Sequence, residues 1–156
     1  MSAVKHVFLS MLDLPVKFEN PITKNTRHPT YALSSIIGIT GHLNGCIVIS
    51  YPFDIAIKVA SEMHEKSLDK IDAELIDALC EITNMVTGVA DTELEIEDLA
   101  YSLPVVSQIR DEIAYPADSF VFSMSCVLDA GEFEVDIALF EPDAEDVIHE
   151  TENIDR

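Results

Sequence analysis

Positively charged residues are scarce in this chain. Nine Lys and Arg residues stand against 29 Asp and Glu residues, which gives a formal net charge of −20 over 156 residues. Such a surface repels the phosphates of nucleic acids and the headgroups of anionic lipids, so we expect neither nucleic acid nor a membrane as a partner. The excess of acid serves either solubility alone or the attraction of a basic group on a partner protein.

Cysteine and histidine are too scattered to build a disulfide framework or a zinc site. Cys46, Cys80 and Cys126 lie far apart in apolar stretches, which predicts buried free thiols in a reducing compartment. The five histidines show neither HxxxH nor HExxH spacing. We therefore expect the chain to carry no metal or other cofactor of its own.

Long apolar runs are absent as well. No run reaches the roughly 18 residues that a membrane-spanning helix needs, and the N-terminus lacks the apolar core of a signal peptide. We therefore expect a cytoplasmic protein. The length and the 48% apolar content predict one domain over residues 1–140. Residues 141–156 hold seven acids and one Arg, which predicts an acidic tail in solvent.

Hydrophobic periodicity predicts an α+β fold. Two β-hairpins are expected, over 31–52 with a turn at GHLNG and over 119–140 with a turn at DAGE. Helices are expected over 3–13, 53–66 and 69–97, with Ile57, Ala60 and Met63 or His64 of the second turned inward. A short strand is expected at 16–19, a loop at 20–30, and an edge strand over 99–106 that Pro104 breaks. These elements predict an antiparallel sheet, built from two hairpin units and covered by two long helices.

The helix over 69–97, which Asp69 or Asp72 caps, carries an ordered polar face. At about 100° per residue, one side collects the apolar residues expected to be buried, and the other side collects polar and small residues at the same spacing. The apolar side contains Leu75, Leu79, Ile82, Val86 and Val89. The other side contains Asp77, Glu81, Asn84, Gly88 and Asp91. The plainest interpretation of this second side is a solvated helix face.

Three features favour a contact surface over a merely solvated face. Gly88 lies one turn beyond Asn84 and costs about 1 kcal/mol relative to Ala at such a position. Met85, close to Glu81 on the helix, has a flexible thioether that suits a contact surface. Asn84 itself is a poor helix former whose side chain competes for backbone hydrogen bonds.

An exposed amide beside a carboxylate suits phosphoryl transfer on a partner. The Asn84 amide cannot act as a general base, but it can hold a water molecule in a fixed direction. The Glu81 carboxylate can bind a cationic group and set the register of a complex. Because a helix face is convex, the reacting group has to arrive on another protein, together with its own metal and charges.

The stretch LIDALCEITNMVTGVADTEL, residues 75–94, resembles the signature helix of the CheX branch of the CheC/CheX/FliY chemotaxis phosphatases. The stretch SSIIGITGHLNGCIVISYP, residues 34–52, resembles the first hairpin of that family, and SLPVV, residues 102–106, resembles its bend after the long helix. The resemblance covers nearly the whole chain.

This resemblance implies an enzyme that dephosphorylates the phosphoaspartate of a CheY-type response regulator. The resemblance implies that Asn84 orients the attacking water. It also implies that Glu81 forms an ion pair with a lysine of the regulator's active site. It places Mg²⁺ in the regulator and implies a homodimer joined through sheet edges. Asp77, Cys80, Met85 and Gly88, which surround the pair on the helix, are the expected partner contacts. A single site is expected, since SEMHEK (61–66) contains no ExxN.

The chain departs from the family pattern at three points. Cys80 stands where relatives carry Gly before the signature Glu. This difference puts the rate of phosphoaspartate hydrolysis in question. The first helix is short, and the acidic tail is additional. A non-catalytic module that docks a receiver domain, and a domain that senses a small ligand or metal, are the alternatives. The intact Glu81 and Asn84 pair favours the enzyme over the docking module, and the absence of a His/Cys cluster or phosphate loop argues against the sensing domain.

Overall fold

The computed structural model describes residues 1–109 and 113–140, which form three helices and eight strands. The helices are α1 (Ser2–Leu12), α2 (Phe53–His64) and α3 (Ala73–Leu94). The strands are β1 (Lys17–Phe18), β2 (Ile22–Thr23), β3 (Leu33–Gly41), β4 (Asn44–Tyr51), β5 (Leu99–Tyr101), β6 (Val105–Ser107), β7 (Phe120–Leu128) and β8 (Gly131–Phe140). All strand pairs are antiparallel. The order is β1-β7-β8-β4-β3-β5, with β2 also on β7 and β6 also on β3.

The two hairpins form the centre of the sheet and confirm the predicted turns. Gly41 and Gly45 flank the first turn with φ of 134° and 158°. A Cβ at Gly45 would lie 1.9 Å from the carbonyl oxygen of Ala138 on the neighbouring strand. Glycine at this position is therefore required by the close approach of β4 and β8.

The three helices cover one face of the sheet. Phe8 of α1 stacks on Phe133 of β8 with ring centroids 4.6 Å apart, and Tyr51 of β4 stacks on the same ring at 5.4 Å. Ile82 and Leu79 of α3 are fully buried in the same core. The predicted α+β fold, an antiparallel sheet of two hairpin units covered by two long helices, is confirmed. The short helix α1 also covers part of the sheet.

The sequence pattern was only partly right about the inward residues of α2, since Ala60 is buried as predicted but Ile57, Met63 and His64 are not. The buried residues are Ile55, Ala56, Val59 and Ala60. Ile57 and Met63 are only half-buried, and His64 is exposed. The apolar spacing correctly predicted a helix here. Which of its residues face inward depends on how α2 packs on the sheet, which the spacing does not contain.

Smaller differences concern the ends and loops. The loop predicted over 20–30 contains the two-residue strand β2. Of the two candidate caps for α3, Asp72 is used: its carboxylate accepts hydrogen bonds from the backbone N–H groups of Glu74 and Leu75 at 3.1 and 3.2 Å. The helices end at Asp13, Glu65 and Glu95, each in the left-handed conformation. The acidic tail predicted over 141–156 lies outside the described residues.

A buried ion cluster stabilises the opposite face of the sheet. Lys24 donates hydrogen bonds to Glu134 and, at 2.8 Å, to Asp136, whose side chain is 1% exposed. The Tyr115 hydroxyl donates to the same Asp136 carboxylate at 2.5 Å. Burial raises the pKa of Asp136 despite these donors. The pKa of the more exposed Glu134 is lowered, because burial raises it less than the hydrogen bonds from Lys24 and Thr30 and the Lys24 charge lower it.

We predict that Lys24→Met lowers the free energy of unfolding by about 3–5 kcal/mol, because a buried carboxylate then loses its cation. The difference from the unsubstituted chain should narrow as the pH falls through the raised pKa of Asp136, since protonation removes the buried charge. Urea titrations at several pH values measure both effects.

Lys58→Met is the matched control. Lys58 pairs with Glu62 on the exposed side of α2, and such pairs contribute only about 0.3–0.5 kcal/mol. Equal losses for the two variants would contradict a special role for the buried cluster.

Candidate functional site: the exposed face of helix α3

Helix α3 buries one side and presents the other to solvent. Its buried residues are Leu75, Ala78, Leu79, Ile82, Thr83, Val86 and Thr87. Four of the five predicted inward residues are confirmed, and the fifth, Val89, is half-buried. Two threonines that the pattern did not predict are also buried. The Thr83 hydroxyl is accommodated there because it donates to the Leu79 carbonyl oxygen at 2.9 Å.

Glu81 and Asn84 are both exposed on the outer side of this helix. Three residues of helix separate them by about 4.5 Å along the axis, which brings the two side chains onto one face. Among the described residues, no side chain or backbone group forms a hydrogen bond with either side chain. The amide and the carboxylate are therefore both available to groups that arrive from outside.

The exposed face is shorter than the sequence predicted. Asp77, Glu81, Asn84 and Gly88 are exposed, but Asp91 is half-buried. The Tyr101 hydroxyl on β5 donates a hydrogen bond to the Asp91 carboxylate at 2.7 Å. Burial and this carboxylate together raise the pKa of Tyr101 to about 12. Asp91 therefore anchors α3 to the edge of the sheet and is not part of the exposed face.

Cys80 lies on the same flank of α3 as Asp91. It is half-buried, and its Sγ donates a weak hydrogen bond to the Pro104 carbonyl oxygen at 3.7 Å. Burial, with a smaller contribution from the Asp77 charge, raises the pKa of this thiol. Cys80 is therefore a neutral thiol packed against the bend between β5 and β6, and it is a poor nucleophile at neutral pH. Cys46 is also half-buried, and only Cys126 meets the prediction of a fully buried thiol.

Gly88 faces open space. A Cβ built at this position would have no heavy atom from elsewhere in residues 1–109 or 113–140 within 4 Å. Neither a positive φ nor a close backbone approach requires a glycine here. The packing of the described residues therefore does not explain the glycine, although it weakens the helix.

Helix α1 forms the other flank of the exposed face, which sequence reasoning did not predict. A groove of about 360 Å³ runs between α1 and α3, and Met85 and Gly88 belong both to this groove and to the exposed face. Its lining consists of His6, Val7, Met11, Met85, Gly88, Val89, Thr92 and Glu93. The available signal was the apolar excess of α1, whose exposed residues include Leu9 and Met11.

The site shows no metal-binding cluster within the described parts of the chain, where no three His, Cys, Asp or Glu side chains are placed to hold an ion. No helix in those parts is long and apolar enough to cross a membrane. On α2, Glu62 binds Lys58 of its own helix, and no amide follows it. The exposed carboxylate and amide pair of α3 is the arrangement that distinguishes this surface.

A family model described as chemotaxis phosphatase CheX matches residues 33–126, which is more than half of the chain. The chain belongs to the CheX family. The matched region begins at β3 and includes all of α3, so it contains Glu81 and Asn84. The resemblance proposed from the sequence is confirmed at the level of the family.

Individual relatives agree with this assignment. The CheY-P phosphatase CheX of Thermotoga maritima is 27% identical over 96 residues, which are 61% of this chain and 62% of that protein. The match therefore spans less than two thirds of that relative. The crystal structure of a chemotaxis protein CheX from Desulfovibrio desulfuricans is 27% identical, with a TM-score of 0.80, over 89% of this chain and 95% of that one.

A third structure is a CheX–CheY–BeF3–Mg complex from Borrelia burgdorferi. Its similarity is 23% identity with a TM-score of 0.77, over 90% of this chain and 94% of that one. At this identity the comparison shows the shared fold alone.

We predict that Gly88→Ala raises the free energy of unfolding by about 0.5–1 kcal/mol, because alanine favours the helix and its methyl group enters open space. Denaturant titration measures the change. Gly45→Ala is the contrasting variant, and it should destabilise the fold because its Cβ meets the Ala138 carbonyl oxygen. A destabilised Gly88→Ala chain would contradict the open space seen at this position.

Proposed function

We propose that this member of the CheX family hydrolyses the phosphoaspartate of a CheY-type response regulator in chemotaxis signalling. The observation that carries the proposal is the outward, unengaged placement of Glu81 and Asn84 on α3. The family match and the relative named CheY-P phosphatase support the substrate class. A regulator substrate of this kind also implies a cytoplasmic enzyme.

Asn84 orients the attacking water in this mechanism. Its amide offers a donor and an acceptor with no partner among the described residues, so both are free to bind a water next to the phosphoryl group. Phosphoryl transfer depends mainly on positioning and on stabilisation of charge. A neutral amide supplies positioning, and the charge is handled by groups of the regulator.

Glu81 holds the regulator in register through an ion pair with a lysine of the regulator's active site. This carboxylate lies one helical turn before the amide, so a bound lysine fixes the phosphoaspartate relative to Asn84. The Mg²⁺ that such chemistry uses belongs to the regulator, in keeping with the Borrelia complex, whose name includes CheY, BeF3 and Mg.

The neighbouring residues of α3 form the surface that meets the regulator. Asp77 lies one turn before Glu81, and Met85 and Gly88 follow Asn84. Cys80 borders this surface from the side of the β5–β6 bend. The face is convex, so it enters the cleft of the regulator, where the reaction takes place.

The proposal includes a homodimer joined through sheet edges. In the described part of the sheet, one edge carries β1 and β2, and the other carries β5 and β6. These edge strands are only two or three residues long. Val105 on β6 is an exposed apolar residue at such an edge, as is Ile22 on β2.

Release of phosphate from a phosphorylated CheY-type receiver, with and without this protein, tests the proposal. Stimulated release supports the enzyme. A chain that binds the phosphorylated receiver without accelerating release is a docking module instead.

We predict that Asn84→Ala lowers kcat for phosphate release by about 100-fold or more, the range seen when a positioning group is lost. The Kd for the receiver should stay within about twofold, because Asn84 contacts the water and contributes little to docking. Asn20→Ala, which removes an exposed amide outside α3, is the control and should leave both values unchanged. Weaker binding of Asn84→Ala with normal turnover in the complex would contradict the assigned role.

We predict that Glu81→Ala weakens docking and slows hydrolysis together, each by about tenfold, since one interfacial ion pair is lost. Added salt should weaken receiver binding more in the unsubstituted protein than in the variant, because salt screens the ion pair that only the unsubstituted protein can form. Glu19→Ala removes an exposed acid near β1 and controls for net charge. Equal salt dependence in Glu81→Ala and the unsubstituted protein would count against the ion pair.

A further inference from the structure

We infer that the groove between α1 and α3 is a docking subsite for an apolar side chain of the response regulator, taken from the rim of the regulator's phosphorylation site. This inference rests on the proposed function and adds α1 to the surface that recognises the substrate.

The groove begins next to the proposed catalytic pair. Gly88 follows Asn84 by four residues, or about 6 Å along the helix axis, and Met85 is the next residue after Asn84. Both line the groove. A receiver whose phosphoaspartate reaches Asn84 must therefore lie over the mouth of the groove, so the groove and the proposed catalytic face form one continuous surface.

The lining selects an apolar group. Val7, Met11, Met85 and Val89 supply its walls. The polar groups that approach it are largely engaged: the Thr92 hydroxyl donates to the Gly88 carbonyl oxygen at 3.0 Å, and the Glu93 carboxylate accepts a hydrogen bond from Ser2 at 2.7 Å. A charged or strongly polar side chain would lose hydration against these apolar walls, where His6 and Glu93 are the only ionisable side chains among the described residues of the lining.

The size of the groove matches side chains rather than a whole helix. A cavity of about 150 Å³ already accommodates a benzene ring, so the roughly 360 Å³ between α1 and α3 admits one or two aliphatic or aromatic side chains. Met11, which is 58% exposed, lies at this position with an adaptable thioether that can close on such a group.

Gly88 is the independent observation that calls for an outside occupant. Glycine in a helix interior is unfavourable, and none of the described residues occupies the space that it leaves. The absence of a side chain is explained if the regulator's backbone or side chain passes over this point on its way into the groove.

The experiment measures binding of a CheY-type receiver activated with beryllium fluoride and Mg²⁺, together with kcat and KM for phosphate release. Gly88→Leu fills the groove, and Met11→Gln makes one wall polar. Leu9→Gln is the matched control, since Leu9 is 45% exposed on the same helix but does not line the groove. Circular dichroism verifies folding, and sedimentation velocity gives the oligomeric state of each variant.

We expect Gly88→Leu to raise the Kd about tenfold or more and Met11→Gln about three- to tenfold, as for lost apolar contacts near an interface centre. KM should rise in parallel, while kcat at saturation stays within about twofold, because neither variant alters Asn84 or Glu81. Leu9→Gln should bind like the unsubstituted protein. If Gly88→Leu does not fold, the Kd values of Met11→Gln and Leu9→Gln for the receiver are sufficient to test the groove.

Equal binding by Met11→Gln and Leu9→Gln would overturn the inference, as would Gly88→Leu binding like the unsubstituted protein. A change of oligomeric state in the groove variants alone would assign the groove to a second copy of the chain and overturn the receiver as its occupant. A protein that binds the receiver without hydrolysis disproves the phosphatase, while the binding series still decides the groove. Failure of the unsubstituted protein to bind overturns both.

Discussion

The packing of one side of α3 on the sheet determines which of its side chains face solvent and can meet a partner. Leu75, Leu79 and Ile82 are fully buried, and rotating the helix by a quarter turn would expose them. Full burial of such a side chain contributes roughly 1.5–3 kcal/mol, so the rotation of α3 is strongly determined. The core behind them holds Glu81 and Asn84 outward, and no group in the described part of the chain forms a hydrogen bond with either side chain.

The flanks of α3 are built differently from its centre. On one side, Tyr101 binds Asp91 and Cys80 packs at Pro104, so polar contacts join the helix to the sheet edge. On the other side, α1 contributes an apolar wall and leaves an open groove. The exposed pair thus lies between a flank joined to the sheet by hydrogen bonds and a flank that contains an open apolar groove.

The sequence allowed good predictions wherever the determining contacts are local. The hairpin turns follow from glycines a few residues apart, and α3 follows from the regular spacing of Leu79, Ile82 and Val86. Asp91 was misplaced because its partner, Tyr101, belongs to a strand whose position the helix pattern does not contain. The cluster of Lys24 and Asp136 joins residues 112 positions apart, and the groove depends on how α1 packs, so periodicity could predict neither.

The helix ends have a consequence for the thermal robustness of this protein. Asp13, Glu65 and Glu95 terminate the three helices with φ near 50°, a conformation that disfavours residues other than glycine by roughly 1–2 kcal/mol. Their carboxylates also oppose the helix dipole at that end. Substitution of glycine at these helix ends should therefore raise the thermal stability of the fold, and Glu65, at the end of α2, lies on a helix that does not line the groove.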